Sequence, residues 1–185
     1  MGASTIMVIR HAEKPITGRA DGVRARGDKD DASLIARGWQ RAGALVGFFL
    51  KPTSPDIVRP EHLCAVRFDL GVEGSSRRSR QTLRPLSEML GVKCDDRFGE
   101  GQEQHLARAV VRLQGPILIA WSHGHIPKVA GAICPGLPIP HEWPDDRFDL
   151  VWVFDRQSRE ATFKQVPQLL LAGDEAEVAP LVKPS

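Results

Sequence analysis

Ser4-Thr5-Ile6-Met7-Val8-Ile9, followed at once by Arg10-His11-Ala12-Glu13-Lys14-Pro15, is the stretch that decides the fold. A short, β-branched, uninterrupted apolar run reads as a buried strand. The abrupt change to charge then sets Arg10 and His11 at that strand's C-terminal end. A second stretch repeats the pattern. Pro116-Ile117-Leu118-Ile119-Ala120-Trp121 reads as another buried strand, broken at Ser122-His123-Gly124-His125.

Working outward, helical periodicity starts at Ser33. It runs through Leu34-Ile35 and Gly38-Trp39-Gln40-Arg41-Ala42 to Leu50, and Lys51-Pro52 stops it. His62–Phe68 is expected as a strand. After a turn over Gly71–Gly74, Ser75 and Ser76 can cap a helix carrying Leu83, Leu86, Met89 and Leu90, ended by Gly91. Pro85 inside that pattern predicts a kink or a late start. Residues 103–113 and Lys128–Ile133 suit further helices. Past a Pro-rich loop from Pro135 to Pro144, Phe148–Phe154 and Ala161–Val166 flank a turn at Asp155–Glu160 and read as a hairpin.

Short strands alternating with amphipathic helices imply an α/β layer fold with a mainly parallel sheet. The 185 residues are expected to form one domain, 1–185, with a peripheral tail after about Gly173. Residues 16–32, rich in Gly, Asp, Arg and Lys, read as a long, mobile loop.

Hydrophobic content of 42% and charged content of 26% are ordinary for a globular protein, and a net charge of +2 gives no case for nucleic acid or an anionic membrane. The three cysteines, Cys64, Cys94 and Cys134, are widely spaced and never form a CxxC pair, which argues against a disulfide framework and fits a reducing compartment. No run approaches the roughly 20 apolar residues of a membrane span. Neither is a signal peptide visible, so a cytoplasmic location is expected.

In open α/β sheets, ligands bind in the crevice beyond the C-terminal strand ends, where His11 and His123 both stand. Between them in sequence lies Ser75-Ser76-Arg77-Arg78-Ser79-Arg80-Gln81-Thr82, a serine- and arginine-rich helix start suited to an anion. Two imidazoles, several guanidinium groups and a helix N-terminus together suit a phosphoryl group. A neutral imidazole can attack phosphorus directly, arginine neutralises the equatorial oxygens, and a nearby carboxylic acid can protonate the leaving oxygen.

Here the sequence resembles a known family. Arg10-His11-Ala12-Glu13 after a first strand is similar to the Arg-His-Gly/Ala signature of the histidine phosphatase superfamily, which includes the phosphoglycerate mutases. Leu34-Ile35-Ala36-Arg37-Gly38-Trp39-Gln40-Arg41-Ala42 resembles that family's Leu-Thr-x-x-Gly-x-x-Gln-Ala stretch. Arg78-Ser79-Arg80-Gln81-Thr82 is similar to its Arg-Ala-x-Gln-Thr, and Ser122-His123-Gly124 to its second-histidine motif. The four matches fall in the family's order over residues 5 to about 154.

The resemblance implies a three-layer α/β/α sandwich around a mainly parallel sheet, phosphoglycerate mutase-like. It makes His11 the nucleophile and Arg10, Arg78 and His123 the phosphoryl-binding groups, with no metal or organic cofactor. The family's serine four residues before the motif arginine is Gly74 here, which leaves Arg77 and Arg80 as alternatives to Arg78. No Asp follows His123, so the general acid is expected downstream of the arginine motif, at Glu103 or alternatively Glu100.

The activity so implied is hydrolysis of a small phosphomonoester or a phosphorylated protein side chain. A phosphomutase using the same phosphohistidine and a non-catalytic module that grips a phosphorylated partner are the alternatives. His123 and His125 as metal ligands form a further one. Trp143 is a candidate for lining a substrate entrance, and Glu13 and Lys14 for the site's rim.

Overall fold

The computed structural model describes residues 5–156 and 161–181. Its element order is β1 (Thr5–Arg10), α1 (Ala36–Leu50), β2 (His62–Ala65), α2 (Arg78–Leu90), β3 (Cys94–Asp95), α3 (Glu103–Val110), β4 (Ile117–Trp121), α4 (Ile126–Ile133), β5 (Leu150–Asp155) and β6 (Thr162–Pro167). A 3-10 turn over His123–His125 joins β4 to α4. The strands form one sheet in the order β3-β2-β4-β1-β5-β6.

Strands β1 to β4 pair in parallel, whereas β5 runs antiparallel to both β1 and β6. The fold is therefore the expected α/β sandwich with a mixed sheet. All six residues of β1 are buried, because a central strand covered on both faces has no solvent side.

Alternation along the strands divides the core in two. Ile6, Val8, Ile119 and Trp152 face Leu106 of α3 and Val129 of α4. Met7, Ile9, Leu118 and Val151 face Phe49 of α1 and Leu83 of α2. Helices α1 and α2 pack together on one face and α3 and α4 on the other, completing three layers.

Several local expectations change. Helix α1 begins at Ala36, because the Ser33 side chain is buried in bonds with Asp30 and Gln81. Neither Ser75 nor Ser76 caps α2: the cap position is Arg77, without a side-chain bond, and Ser75 Oγ accepts from the Asp69 N–H instead. The helix starts on time at Arg78 and holds Pro85 in its interior, where proline removes one N–H from the ladder. Gly91 ends it in the left-handed conformation at φ 66°, as expected.

The second strand stops at Ala65, and the two-residue β3 at the sheet edge was too short to signal itself. Residues 16–32 are not a free loop. Bridges join Ile16 to Ala20 and Val23 to Lys29, and the Trp39 indole N–H donates to the Val23 carbonyl at 2.8 Å. The hairpin strands form as expected, while most of the turn at Asp155–Glu160 lies outside the described residues.

The segment after Gly173 is exposed over most of its described residues, as a peripheral tail would be, but it is tied to the rest of the fold. Asp174, whose side chain is only 3% exposed, receives N–H bonds from Arg41 at 2.7 and 3.1 Å, and Arg41 also binds Glu13 at 2.8 Å. The Arg147 guanidinium donates to the carbonyls of Glu175 and Glu177. Burial alone would raise the Asp174 pKa, but Arg41 and the Leu170 and Leu171 N–H groups hold it below the usual aspartate value.

A depressed native pKa gives stability that is present above the unfolded-state pKa and is lost as pH falls through the native one. Arg41 would keep its bonds to Glu13 and Gln168 but lose those to Asp174, so Asp174→Ala is expected to cost about 1–3 kcal/mol in urea unfolding at pH 7. The deficit should shrink as the pH is lowered below about 4. A change below about 0.5 kcal/mol, normal for a dangling tail, would contradict this packing.

Candidate active site

Parallel pairing of β1 with β4 aligns Arg10 with Trp121. The His11 N–H extends the ladder one step, donating to the Trp121 carbonyl at 3.0 Å. The two strands therefore end side by side, delivering His11 and the Ser122-His123 pair to the same crevice.

His11 is 4% exposed, and its Nδ1 lies 2.7 Å from the Ala12 carbonyl. A carbonyl only accepts, so Nδ1 carries the proton and Nε2 keeps its lone pair. Burial is the main cause that drives the His11 pKa down to about 3; the Ala12 bond opposes it, and Arg78, Arg10 and His123 each lower it further. The ring is therefore neutral at physiological pH, with a nucleophilic nitrogen available.

The flanking motifs tie the His11 segment to its surroundings. The Thr82 hydroxyl donates to the Arg78 carbonyl and accepts the Ala12 N–H, both at 2.8 Å. Gln81 accepts the Leu34 N–H at 2.9 Å and donates to Ser33. The Gln-Thr pair thus clamps α2 to two other motif segments. Gly38 permits the close approach of α1: a Cβ there would meet the Glu13 carbonyl oxygen at 2.6 Å.

Arg10 is 1% exposed and lies with its guanidinium carbon 3.9 Å over the Phe148 ring. Its Nη1 donates to the carbonyls of Pro144, Asp145 and Arg147, whereas Nε and Nη2 have no partner among the described residues. Burial pulls its pKa down to about 10, so it stays a cation.

Arg78 donates one bond, from Nη1 to the Asp31 carbonyl at 3.1 Å, and its buried Nε has no partner. The alternative arginines are engaged elsewhere. Arg77 stacks 3.9 Å over Phe68 beside Asp30, and the exposed Arg80 pairs with Asp96 at 2.9 Å. Of the three, only Arg78 acts electrostatically on His11.

His123 Nε2 lies 2.8 Å from the Asp145 carboxylate, which makes that nitrogen the donor, and its Nδ1 is buried without a partner. Burial, followed by Arg10, pulls its pKa below the ordinary value, so the ring is neutral rather than the imidazolium that a phosphoryl site first suggests. Ser122 Oγ, beside it, is likewise buried and unpartnered.

The carboxylates divide clearly. Glu103 is buried, and its Oε1 accepts from the Gly101 N–H at 2.9 Å, from His125 Nδ1 at 2.7 Å and, weakly, from the Trp121 indole at 3.4 Å. Burial alone would raise its pKa, but the backbone N–H groups of Glu103 and Gly101 and the His125 bond hold it low. Glu103 is thus an occupied, ionised anchor. Glu100 is exposed and acts electrostatically on Arg78.

His123 and His125 diverge, the first toward Asp145 and the second toward the glutamates. Among the described residues no group of His, Cys, Asp or Glu is arranged to hold a metal ion.

Trp143 lines no entrance. It is 2% exposed, donates to the Arg147 carbonyl at 2.8 Å and packs on Trp152. Sequence reasoning missed Asp145, which sits in a Pro-rich loop with no periodicity to mark it. That residue also borders a cleft of about 460 Å³ lined by Lys14, Ile16, Asp146 and Phe148, a size suited to a small ligand.

No family model matches the sequence, and no curated protein matches it. By structure the chain is similar to a crystal structure from Escherichia coli strain K-12 MG1655, provisionally described as an alpha-ribazole-5'-P phosphatase. The TM-score is 0.51 at 12% identity, over 89% of this chain and 96% of that one. In fold, the chain is an α/β/α sandwich around a mixed six-stranded sheet, similar to that structure.

Proposed function

We propose that the protein hydrolyses phosphomonoesters through a phosphohistidine on His11. The observation that carries the reading is a neutral, buried imidazole with a free Nε2, beside two arginines that keep buried N–H groups unpartnered. A buried donor without a partner costs about 1–3 kcal/mol, which an anion seated there would recover. Arg10 and Arg78 supply planar donors to the equatorial phosphoryl oxygens, and the His123 Nε2–H turns from Asp145 to a third.

The chemistry is a double displacement. His11 Nε2 attacks phosphorus as the P–O bond to the alcohol breaks, and the departing oxygen takes a proton from a carboxylic acid. Water then attacks the phosphohistidine, the same carboxylate takes its proton, and the P–N bond breaks to release phosphate. Glu100 is assigned that acid–base role. Exposed and beside Arg78, it can reach a leaving oxygen, whereas Glu103, the residue favoured from sequence, is buried with its oxygen already committed. The adjoining cleft suits a small phosphorylated substrate.

Purified protein should hydrolyse a generic aryl phosphate in excess chelator, and His11→Ala should lower kcat/KM by about a thousandfold or more. Full turnover in that variant would refute the phosphohistidine. Asp145→Asn should tighten inhibition by inorganic phosphate about two- to fivefold, because an exposed carboxylate competing for His123 is worth at most about 1 kcal/mol. Unchanged or weaker inhibition would show that Asp145 does not oppose the anion.

A further inference from the structure

A lone exposed glutamic acid is a poor proton donor at neutral pH. Its reference pKa is about 4.3, so only about one molecule in five hundred is protonated at pH 7. The Glu100 side chain is 45% exposed and interacts with Arg78. If Glu100 is the acid, something near it has to supply the proton.

His125 stands in the right place. Its Nδ1–H donates to the buried Glu103 carboxylate at 2.7 Å, and its Nε2 faces Glu100 Oε2 at 3.7 Å. A small rotation of the exposed Glu100 side chain closes that gap. A carboxylate behind one ring nitrogen fixes the ring's tautomer and orientation and leaves the other nitrogen to face its neighbour. Glu103 is held for that task by the Gly101 N–H and the Trp121 indole, on the first turn of α3. The charged groups facing the pair are Glu103 and Glu100 from the α3 side and, from α2, Arg78 acting on Glu100.

We propose that Glu103, His125 and Glu100 form a proton relay in which His125 stores the proton that Glu100 delivers to the leaving oxygen. The proposal rests on the phosphatase reading above and goes further in assigning the source of the proton. As the P–O bond breaks, the proton on His125 Nε2 passes through Glu100 to the departing oxygen, which leaves Glu100 a carboxylate and His125 neutral. In the second half, water's proton passes to Glu100 and back to His125, which restores the starting state. Proton supply to the leaving oxygen then draws on an imidazole and not on a carboxyl alone, two groups whose reference values are about 6.5 and about 4.3. His125 touches neither phosphorus nor the leaving group and acts as a positioning residue.

The test is the pH dependence of kcat/KM for an alkyl phosphate, whose poor leaving group needs the acid, in wild type, His125→Asn and Glu103→Gln. Ionisation of the substrate is common to all three and cancels in the comparison. His125→Asn is expected to move the basic limb down by about two pH units, the gap between the two reference values. Glu103→Gln should move it the same way by less. An aryl phosphate, which leaves without a proton, should show a smaller shift.

His125→Gln, with thermal melts of each variant, separates a proton effect from lost folding. A basic limb that stays in place in folded His125→Asn or His125→Gln overturns the relay. If His11→Ala retains turnover, the phosphatase reading falls first. If His11→Ala is inactive while the limb stays put, the relay alone falls.

Discussion

The parallel pairing of β1 with β4 is the constraint on which the site depends. It brings residues 11 and 123, more than a hundred positions apart, to neighbouring strand ends, and the bond from the His11 N–H to the Trp121 carbonyl carries the alignment past the last strand residue. Both strands are buried on both faces, so a slip in register would expose a core row on each side of the sheet. The same burial that stabilises the sheet removes water from His11 and keeps its imidazole neutral. Stability and nucleophilicity here have one physical source.

Around that neutral ring the protein holds an arrangement that costs it stability. Arg10 and Arg78 both have pKa values lowered by burial, and both keep N–H groups without a partner among the described residues. Such groups persist when the surrounding structure over-determines them. Three main-chain carbonyls hold Arg10, and the Phe148 ring lies beneath it. The clamp of Gln81 and Thr82 fixes the start of α2 against the His11 segment, and the Glu13–Arg41–Asp174 cluster fastens the C-terminal segment behind it. An anion entering the crevice meets donors already aimed, with little reorganisation left to make.

Much of this was legible in the sequence, and for identifiable reasons. Ile117–Trp121 and Ile6–Ile9 are unbroken apolar runs that end in charge, so their strands and the placement of His11 and His123 followed directly. Residues whose importance comes from distant partners left no such trace. Asp174 reads as tail because Arg41, which buries it, is 133 positions away. Asp145 and Trp143 share an aperiodic loop whose shape is set by Arg10 and Arg147. Glu100 and Glu103 look equivalent along the chain, yet the first turn of α3 buries one and leaves the other in solvent. The Ser75 cap failed because local propensity lost to a bond from Asp69.

The central claim is a covalent bond between His11 Nε2 and phosphorus. It is tested most directly in Glu100→Gln, where an aryl phosphate can still phosphorylate the enzyme but water lacks its base. Intact-mass and fragment analysis after a rapid alkaline quench should then show one added phosphoryl group, on His11, absent from the Glu100→Gln/His11→Ala double variant. Turnover of the same substrate with no phosphoryl group on His11, or with one on another residue, would contradict the account.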